Sequence, residues 1–267
     1  LKKLIAIDLD GTTLNNESKL TMKTKETLHK AIAAGHHVVI ATGRPYRMSV
    51  NYYDELKLTT PMINFNGALV HVPHQKWSAE KEHQIQREIA FDILEQKETL
   101  QFDLLAAENK TSLYLNELSA YDSKLFSYAQ DEQNLLSRKT MKVDPTSLLL
   151  KLKDQNTEPI ENILTKKYGK DINISTWGGQ TPILEIVAKG IQKAQGIAHI
   201  SEQLGIKRQN VIAFGDEHND LEMLQEAGWG VAMANGTERA KAAANDVTNL
   251  TNHQDGLADY LEKYLSL

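Results

Sequence analysis

The sequence predicts an α/β protein: a Rossmann-like parallel-sheet core interrupted by an inserted α+β segment. Three observations lead there. Short, unbroken apolar runs alternate with helical stretches toward both ends of the chain. The middle is built from longer, more amphipathic strands. Acidic and hydroxyl residues of the outer segments fall where the apolar runs stop. Strands buried on both faces read as continuous apolar runs, and strands separated by helices imply right-handed crossovers and a parallel sheet.

Leu4-Ile5-Ala6-Ile7 is the first such run. A helix follows, with Thr21 as N-cap, Leu28, Ala31 and Ile32 on its apolar face, and Gly35 as its stop. Val38-Val39-Ile40-Ala41 is a second strand, and after another helical stretch Met62-Ile63-Asn64-Phe65 is a third. The rhythm resumes late in the chain with a helix near Gln192 to Leu204, a strand at Val211–Phe214 and a helix from about Asp220. Short strands at Val231–Met233 and Asp246–Thr248 precede a closing helix from Leu257 to Tyr264. Between these arms Phe102–Leu105, Ser112–Leu115 and Leu148–Leu152 read as strands, Ile85, Ile89 and Ile93 recur at helical spacing, and Asp131–Asn134 reads as a loop or frayed helix end. The expected division is a core of 1–82 with 189–267 and an inserted domain of 83–188, whose sheet is open on one side. Hinges are expected near Glu82–Gln84 and Ala188–Gly190.

Composition narrows the classes of function. The 267 residues carry a net charge of −5 and no run of Lys or Arg that would track a phosphate backbone, which argues against nucleic acid as the partner. No stretch approaches the roughly 20 apolar residues that span a bilayer. Leu1-Lys2-Lys3 runs straight into a strand without an apolar h-region or cleavage site, so a cytoplasmic protein is expected. The absence of cysteine excludes a disulfide framework, a thiolate nucleophile and a Cys-based zinc site.

In a parallel sheet, ligands sit beyond the carboxyl ends of the strands. Those ends are Asp8-Leu9-Asp10-Gly11-Thr12, Thr42-Gly43-Arg44, Asn66-Gly67 and Gly215-Asp216-Glu217-His218-Asn219-Asp220, so four strands deliver polar groups to one rim. A D-x-D-G-T string arises by chance in such a chain about once in a thousand. An EF-hand is excluded, because its third ligand and its glycine would fall on Thr12 and Thr13. The string fits a solvated turn after a strand; it also fits two carboxylates that divide the labour of phosphoryl transfer. In the second reading Asp8, pinned at the strand end, would be the nucleophile, and Asp10 would protonate the leaving oxygen and then deprotonate the attacking water. A carboxylate that approaches a phosphate dianion at about 4 Å meets roughly 4 kcal/mol of repulsion per charge pair at an effective dielectric near 20. Positive charge has to cancel it. Asp216 with Asp8 offers hard oxygen ligands to Mg²⁺, Lys193 near a helix start offers a cation to the phosphoryl oxygens, and Thr42 with the Thr42-Gly43 backbone offers hydrogen-bond donors. Lys189 competes with Lys193 for the cationic role. Taken singly, Thr42-Gly43 also fits a helix cap, Lys193 also fits a solvated helix lysine, and Asp216-x-x-Asn219-Asp220 also fits a capped helix start.

The order DLDGT, ATGR, a helix lysine in GIQKAQG and GDEHND resembles the haloacid dehalogenase-like superfamily, and most closely its Cof-type sugar-phosphate phosphatases with a large α/β cap. Gly230–Met233 and Asp255-Gly256 resemble the family's tail, so the likeness spans nearly the whole chain. The resemblance implies an aspartyl-phosphate on Asp8 and Mg²⁺ held by Asp8, the Asp10 carbonyl and Asp216. It implies Asn219 on the phosphate and Asp220 supporting from behind, and it selects Lys193 over Lys189. Ala194, Thr13 and Ala234-Asn235 depart from the family's usual residues, and Asp10 excludes the dehalogenase branch, which lacks the second acid. Arg44 would bind a second anionic group or anchor its helix. Trp177-Gly178-Gly179 would face substrate or pack in the insert's core, and His218 is a substrate-facing candidate. His36 and His37, before a strand, read as structural. The expected partner is a small phosphorylated metabolite, met by a monomer or weak homodimer. A phosphomutase of the same cap class and a non-catalytic sensor of phosphorylated metabolites are the alternative functions.

Overall fold

Four consecutive apolar residues form strand β1 (Leu4–Ile7) in a computed structural model that describes residues 1–118, 132–176 and 182–267. The chain continues through α1 (Met22–Ala33), β2 (His37–Ile40), α2 (Tyr46–Glu55) and an antiparallel pair, β3 (Met62–Asn64) and β4 (Leu69–His71). The two-residue strand β5 (Lys81–Glu82) leads into α3 (Arg87–Glu95), α4 (Lys97–Leu100), β6 (Phe102–Glu108) and β7 (Leu113–Leu115). Then come β8 (Ser147–Leu152), α5 (Glu158–Tyr168), β9 (Ile172–Thr176) and β10 (Ile183–Ala188). The last arm runs α6 (Lys193–Gln203), β11 (Val211–Gly215), α7 (Leu221–Glu226), β12 (Trp229–Ala232), α8 (Glu238–Ala243), β13 (Asp246–Val247) and α9 (Gly256–Leu265). Two units result: Leu1–Lys81 with Gln192–Leu267, and Glu82–Ile191. Among the described residues no helix is long and apolar enough to cross a membrane.

The first unit is organised by a parallel five-stranded sheet in the order β13-β12-β11-β1-β2. Alternation along β1 explains why both of its faces must be apolar. Ile5 and Ile7 join Ile212, Phe214, Val38 and Ile40 in one core with Leu28 of α1 and Leu257 and Leu261 of α9. Leu4 and Ala6 join Val39, Val211 and Ala213 in the opposite core, with Ile197 and Ile200 of α6 and Met223 of α7. Each such buried Leu, Ile or Phe contributes about 1.5–3 kcal/mol of transfer free energy. Thr21 caps α1 by accepting a hydrogen bond from the Thr24 amide, the arrangement expected of a β-region hydroxyl residue before a helix.

The third strand of the expected parallel sheet is shorter and differently paired. Met62–Asn64 runs antiparallel to β4, and its parallel contact with the second strand is a single bridge, Ala41 to Ile63. Phe65, expected in that strand, instead opens a one-turn 3₁₀ segment over Phe65–Gly67 with φ of +50°. The apolar run alone could not reveal this, because Phe65 is buried whichever conformation it adopts.

The second unit carries a five-stranded antiparallel sheet in the order β7-β6-β8-β10-β9. One face packs Leu105, Ala107, Leu148, Leu150, Leu184 and Ile186 against Ile89 and Ile93 of α3 and Leu164 of α5. Ile85 is buried in the same core but precedes α3 rather than belonging to it. The face expected to be open is not a wetted polar surface: Leu104, Ala106, Leu113, Leu115, Leu149 and Ile183 form a buried apolar cluster on it, with Ser147, Glu108 and Glu185 also buried. Trp177-Gly178-Gly179 and Asp131 lie outside the described residues, while Glu132–Asn134 form a 3₁₀ turn.

One contact in the first unit fixes the start of α6. Gly67 has φ of +110°, and a Cβ there would stand 2.4 Å from the Gln192 carbonyl oxygen. Both conformation and space therefore demand glycine. Gly67→Ala is expected to lower stability by about 2–4 kcal/mol, read as a drop in urea midpoint at constant m-value. A change below about 0.5 kcal/mol, the range of an ordinary surface substitution, would show that the approach relaxes freely.

Candidate active site

The ends of β1 and β11 build the centre of the site. The Asp8 amide donates to the Phe214 carbonyl at 3.1 Å, which carries the β1–β11 ladder one residue past the strand and holds the Asp8 backbone. The chain then turns through Leu9–Thr13. Gly11 sits at φ of +71°, and a Cβ on it would meet Asp216 Oδ2 at 2.2 Å. Only glycine lets the turn pass this close to the second acidic loop. The turn is tied down by its own hydroxyls: Thr13 Oγ1 donates to the Asp8 carbonyl at 2.5 Å, and Thr12 Oγ1 donates to Asp216 Oδ1 at 2.8 Å. From the far end of the chain, Asn235 Nδ2 donates to the Gly11 carbonyl at 2.8 Å.

Lys193, the first residue of α6, has a fully buried side chain. Its Nζ lies 2.6 Å from Asp8 Oδ1 and 2.7 Å from Asp220 Oδ1. The other oxygen of Asp220 accepts from the amides of Asp216 and Glu217 at 2.9 and 3.1 Å. Asp220 thus anchors both the ammonium and the loop that carries Asp216. A buried ion cluster of this kind is costly to break, because the remaining partner is left as an uncompensated charge; losses run to about 3–5 kcal/mol.

Negative charge exceeds positive here. Asp8, Asp216 and Asp220 are all buried and each offers an oxygen within 4.8 Å of the others, against one ammonium. Burial, only partly offset by Lys193, lifts the Asp8 carboxyl well above the usual range, and Asp220, Asp216 and Asp10 push the same way. Burial, followed by the charge of Asp220, pushes Asp216 up to about 7. Burial works against the charged form of Lys193, but Asp220 and Asp8 outweigh it and raise its pKa. The donor set fits a small hard divalent cation. Among the described residues, Asp8 and Asp216 each keep one oxygen, Oδ2, without a hydrogen bond, while Asp220 uses both of its own.

A second group surrounds the Thr42-Gly43-Arg44 turn. Thr42 is buried; its amide donates to Ile63 O, its carbonyl accepts from Asn66 N, and its Oγ1 accepts from Arg44 N at 3.0 Å. Asn219 Nδ2 donates to Asn66 Oδ1 at 2.9 Å, so the amide of the GDEHND loop is joined to the Asn66-Gly67 turn. Arg44 is placed against neither a free anion site nor its helix alone. Its Nε and Nη2 grip the two oxygens of Asp10 at 2.7 and 2.5 Å. Burial opposes the Arg44 charge, but the hydrogen bonds and charge of Asp10 more than compensate and raise its pKa.

The structure therefore brings Asp8, Lys193, Asp216 and Asp220 together, with Asp10–Arg44 as one pair and Thr42, Asn66 and Asn219 as another linked set. Lys189 lies in the other unit, its amide bonded to the Asp171 carbonyl. His218 is exposed beside Glu217, and His36 Nδ1 accepts from the Lys3 amide in a structural role. Thr12 was legible within the DxDGT string as a hydroxyl of unassigned purpose. Asn235 carried no signal, since nothing local shows that it will reach Gly11.

The pattern of the haloacid dehalogenase-like hydrolases matches residues 5–261. Two Bacillus subtilis (strain 168) proteins, YitU and YcsE, are each named 5-amino-6-(5-phospho-D-ribitylamino)uracil phosphatase. The first is 36% identical over 268 residues, covering 99% of this chain and 98% of that protein. The second is 28% identical over 269 residues, covering 98% and 96%. The crystal structure of a haloacid dehalogenase-like hydrolase from Bacteroides thetaiotaomicron superposes with a TM-score of 0.86 at 28% identity, covering 99% of this chain and 100% of that one.

The raised carboxyls give a pH dependence with a defined sign. Above about pH 4 the unfolded chain has lost the Asp216 proton, while the folded protein keeps it up to about 7. The folded state thus holds more protons in that window, so stability falls as pH rises from about 4 to about 7 and levels off beyond. Asp8 acts in the same direction. In EDTA, Tm is expected to decline across this window, and Asp216→Asn to flatten much of the decline. A wild-type Tm that rises from pH 4 to 7 would contradict the assignment.

Proposed function

The chain belongs to the haloacid dehalogenase-like hydrolase family and is a phosphatase, and on that premise we propose that it hydrolyses a small phosphate monoester through an aspartyl-phosphate on Asp8, with Mg²⁺. The observation that carries the reading is the buried Lys193, which bridges Asp8 and Asp220 beside Asp216. A lysine held in this way has no structural use that an apolar side chain would not serve at lower desolvation cost.

Asp8 is held at its backbone by the β1–β11 ladder and at Oδ1 by Lys193. An Asp8 oxygen bonds to phosphorus as the bond from phosphorus to the leaving oxygen breaks, and Asp10 gives that oxygen its proton. Water then attacks phosphorus, Asp10 accepts the water's proton, and the bond from Asp8 to phosphorus breaks to release inorganic phosphate. Lys193, the Thr42 hydroxyl, the Gly43 backbone and the Asn219 amide supply donors to the phosphoryl oxygens. Mg²⁺ held by Asp8, Asp216 and the Asp10 carbonyl would add the positive charge that one lysine does not provide. The inserted unit, 82–191, serves as the cap that selects the substrate and excludes water.

For the substrate, the reading is a phosphorylated sugar or sugar-alcohol derivative. The names of the two Bacillus relatives make 5-amino-6-(5-phospho-D-ribitylamino)uracil the first compound to try. The protein is read as working in the cytoplasm, free of nucleic acid.

Purified protein is expected to release phosphate from members of a panel of phosphorylated metabolites in a Mg²⁺-dependent manner, ranked by kcat/KM. Asp8→Asn is expected to lose on the order of 10⁴-fold or more in kcat. Turnover in ¹⁸O-water should place one heavy oxygen in each phosphate released. Absence of Mg²⁺-dependent turnover across the whole panel would refute the reading, and phosphoryl return to the substrate without solvent oxygen would make the protein a mutase.

A further inference from the structure

Asp10 needs to be aimed. It is attached to a turn, its side chain is 56% exposed, and among the described residues its one charged partner is Arg44. Arg44 is held from several sides. Its carbonyl accepts from Asn64 Nδ2 at 3.0 Å and from the Phe65 amide at 3.3 Å. Its Nη1 donates to the Met48 carbonyl and to the Tyr52 hydroxyl, both at 3.3 Å, and its guanidinium lies over the Tyr52 ring, 5.4 Å from the centroid. Tyr52 is fixed in turn, since its hydroxyl donates to the Ser18 carbonyl at 2.8 Å. The guanidinium side chain is only 18% exposed. An exposed carboxylate is therefore clamped by a largely buried guanidinium that is braced on α2.

We propose that Arg44, braced by Tyr52, is a positioning residue that sets the aim of Asp10 in both half-reactions. A guanidinium offers donors only, and its fork matches the two oxygens of a carboxylate. The observed two-pronged grip suits Asp10 as an acceptor, ready to take the proton of the attacking water. To present a proton to the leaving oxygen, Asp10 releases one prong and keeps the other, pivoting about a fixed point instead of swinging freely. Arg44 touches neither the phosphorus nor the leaving group in this scheme; it acts through Asp10. An Arg-to-Lys change is not conservative here, because an ammonium is a single point and cannot fork.

This inference rests on the proposed phosphoryl transfer through Asp8 and Asp10, and the test separates the two. A leaving group that is already a stable anion needs little help from an acid, whereas an alkoxide needs much. The kcat/KM values of wild type, Arg44→Met, Arg44→Lys and Tyr52→Phe are compared on a simple alkyl phosphate and on p-nitrophenyl phosphate. Arg44→Met is expected to lower the alkyl value on the order of 100-fold, the low end of what a positioned acid contributes, and the p-nitrophenyl value only a few-fold. Arg44→Lys should fall nearly as far, and Tyr52→Phe should show the same bias more weakly. In an Asp10→Asn background the Arg44 substitution should add almost nothing. Equal losses on both esters, or an undiminished further loss in Asp10→Asn, would overturn the proposal in favour of a purely structural arginine. Crystal structures decide the ground-state claim whatever the turnover: Asp10 should occupy one rotamer in the wild type and spread in Arg44→Met. The same single rotamer in both would also overturn it. A wild type that hydrolyses neither ester counts against the phosphatase reading, and the crystallographic comparison still decides this one.

Discussion

A fully buried ammonium with two carboxylate partners is the constraint around which the first unit is arranged. Lys193 has left water entirely, and that transfer is tolerable only if Asp8 and Asp220 stand within hydrogen-bonding distance. Asp8 comes from the end of β1, Asp220 from the loop after β11, and Lys193 from the first residue of α6. Three segments far apart in sequence must therefore converge to within about an atom's width. The sheet register does most of this work: Ile7 pairs with Phe214, so the two acidic loops leave the sheet side by side. Small residues do the rest. Gly11 lets one loop lie against Asp216, and Gly67 lets the 3₁₀ turn accept the start of α6.

The same cluster is electrostatically unfinished. Three buried carboxylates and one ammonium leave surplus negative charge, and the proton affinities of Asp8 and Asp216 rise in response. Strongly perturbed carboxyls beside a specific charge partner are a mark of functional rather than structural packing. A divalent cation would relieve the surplus, and the incoming phosphate would restore it. The site therefore has a use for both at once, and Lys193 alone would not balance them.

Much of this architecture was legible in the sequence because parallel sheets leave a plain record. Runs such as Leu4–Ile7 and Val211–Phe214 have no polar face to confuse the period, and the acidic residues follow where each run ends. Local pattern failed where conformation depended on remote contacts. Phe65 was drawn into a strand by its hydrophobicity, although it turns away with positive φ. The inserted sheet is expected to be open on one face, yet Leu104, Leu113 and Leu149 are buried together there, and alternation along a strand does not show what a face packs against. The grip of Arg44 on Asp10 was hidden for a different reason. An arginine after a threonine-glycine turn can reach several anions, and only the placement of α2, Tyr52 and Met48 selects one. The bond from Asn235 to the Gly11 carbonyl left no local signal, because the two residues lie near opposite ends of the chain.

The pairing of β1 with β11 has a consequence for how the protein is made. The two strands are separated by about 200 residues, and the inserted unit, with a hydrophobic cluster of its own, lies wholly between them. Closing so long a loop is slow compared with forming contacts inside it, and during synthesis domains tend to fold as their segments emerge. Strand β1 therefore waits at the ribosome, apolar on both faces and without a neighbour on one side, until β11 is delivered. Chaperone dependence in this protein should arise from that interval, and a circular permutant that opens the chain inside the insert, bringing the two arms into succession, would shorten it.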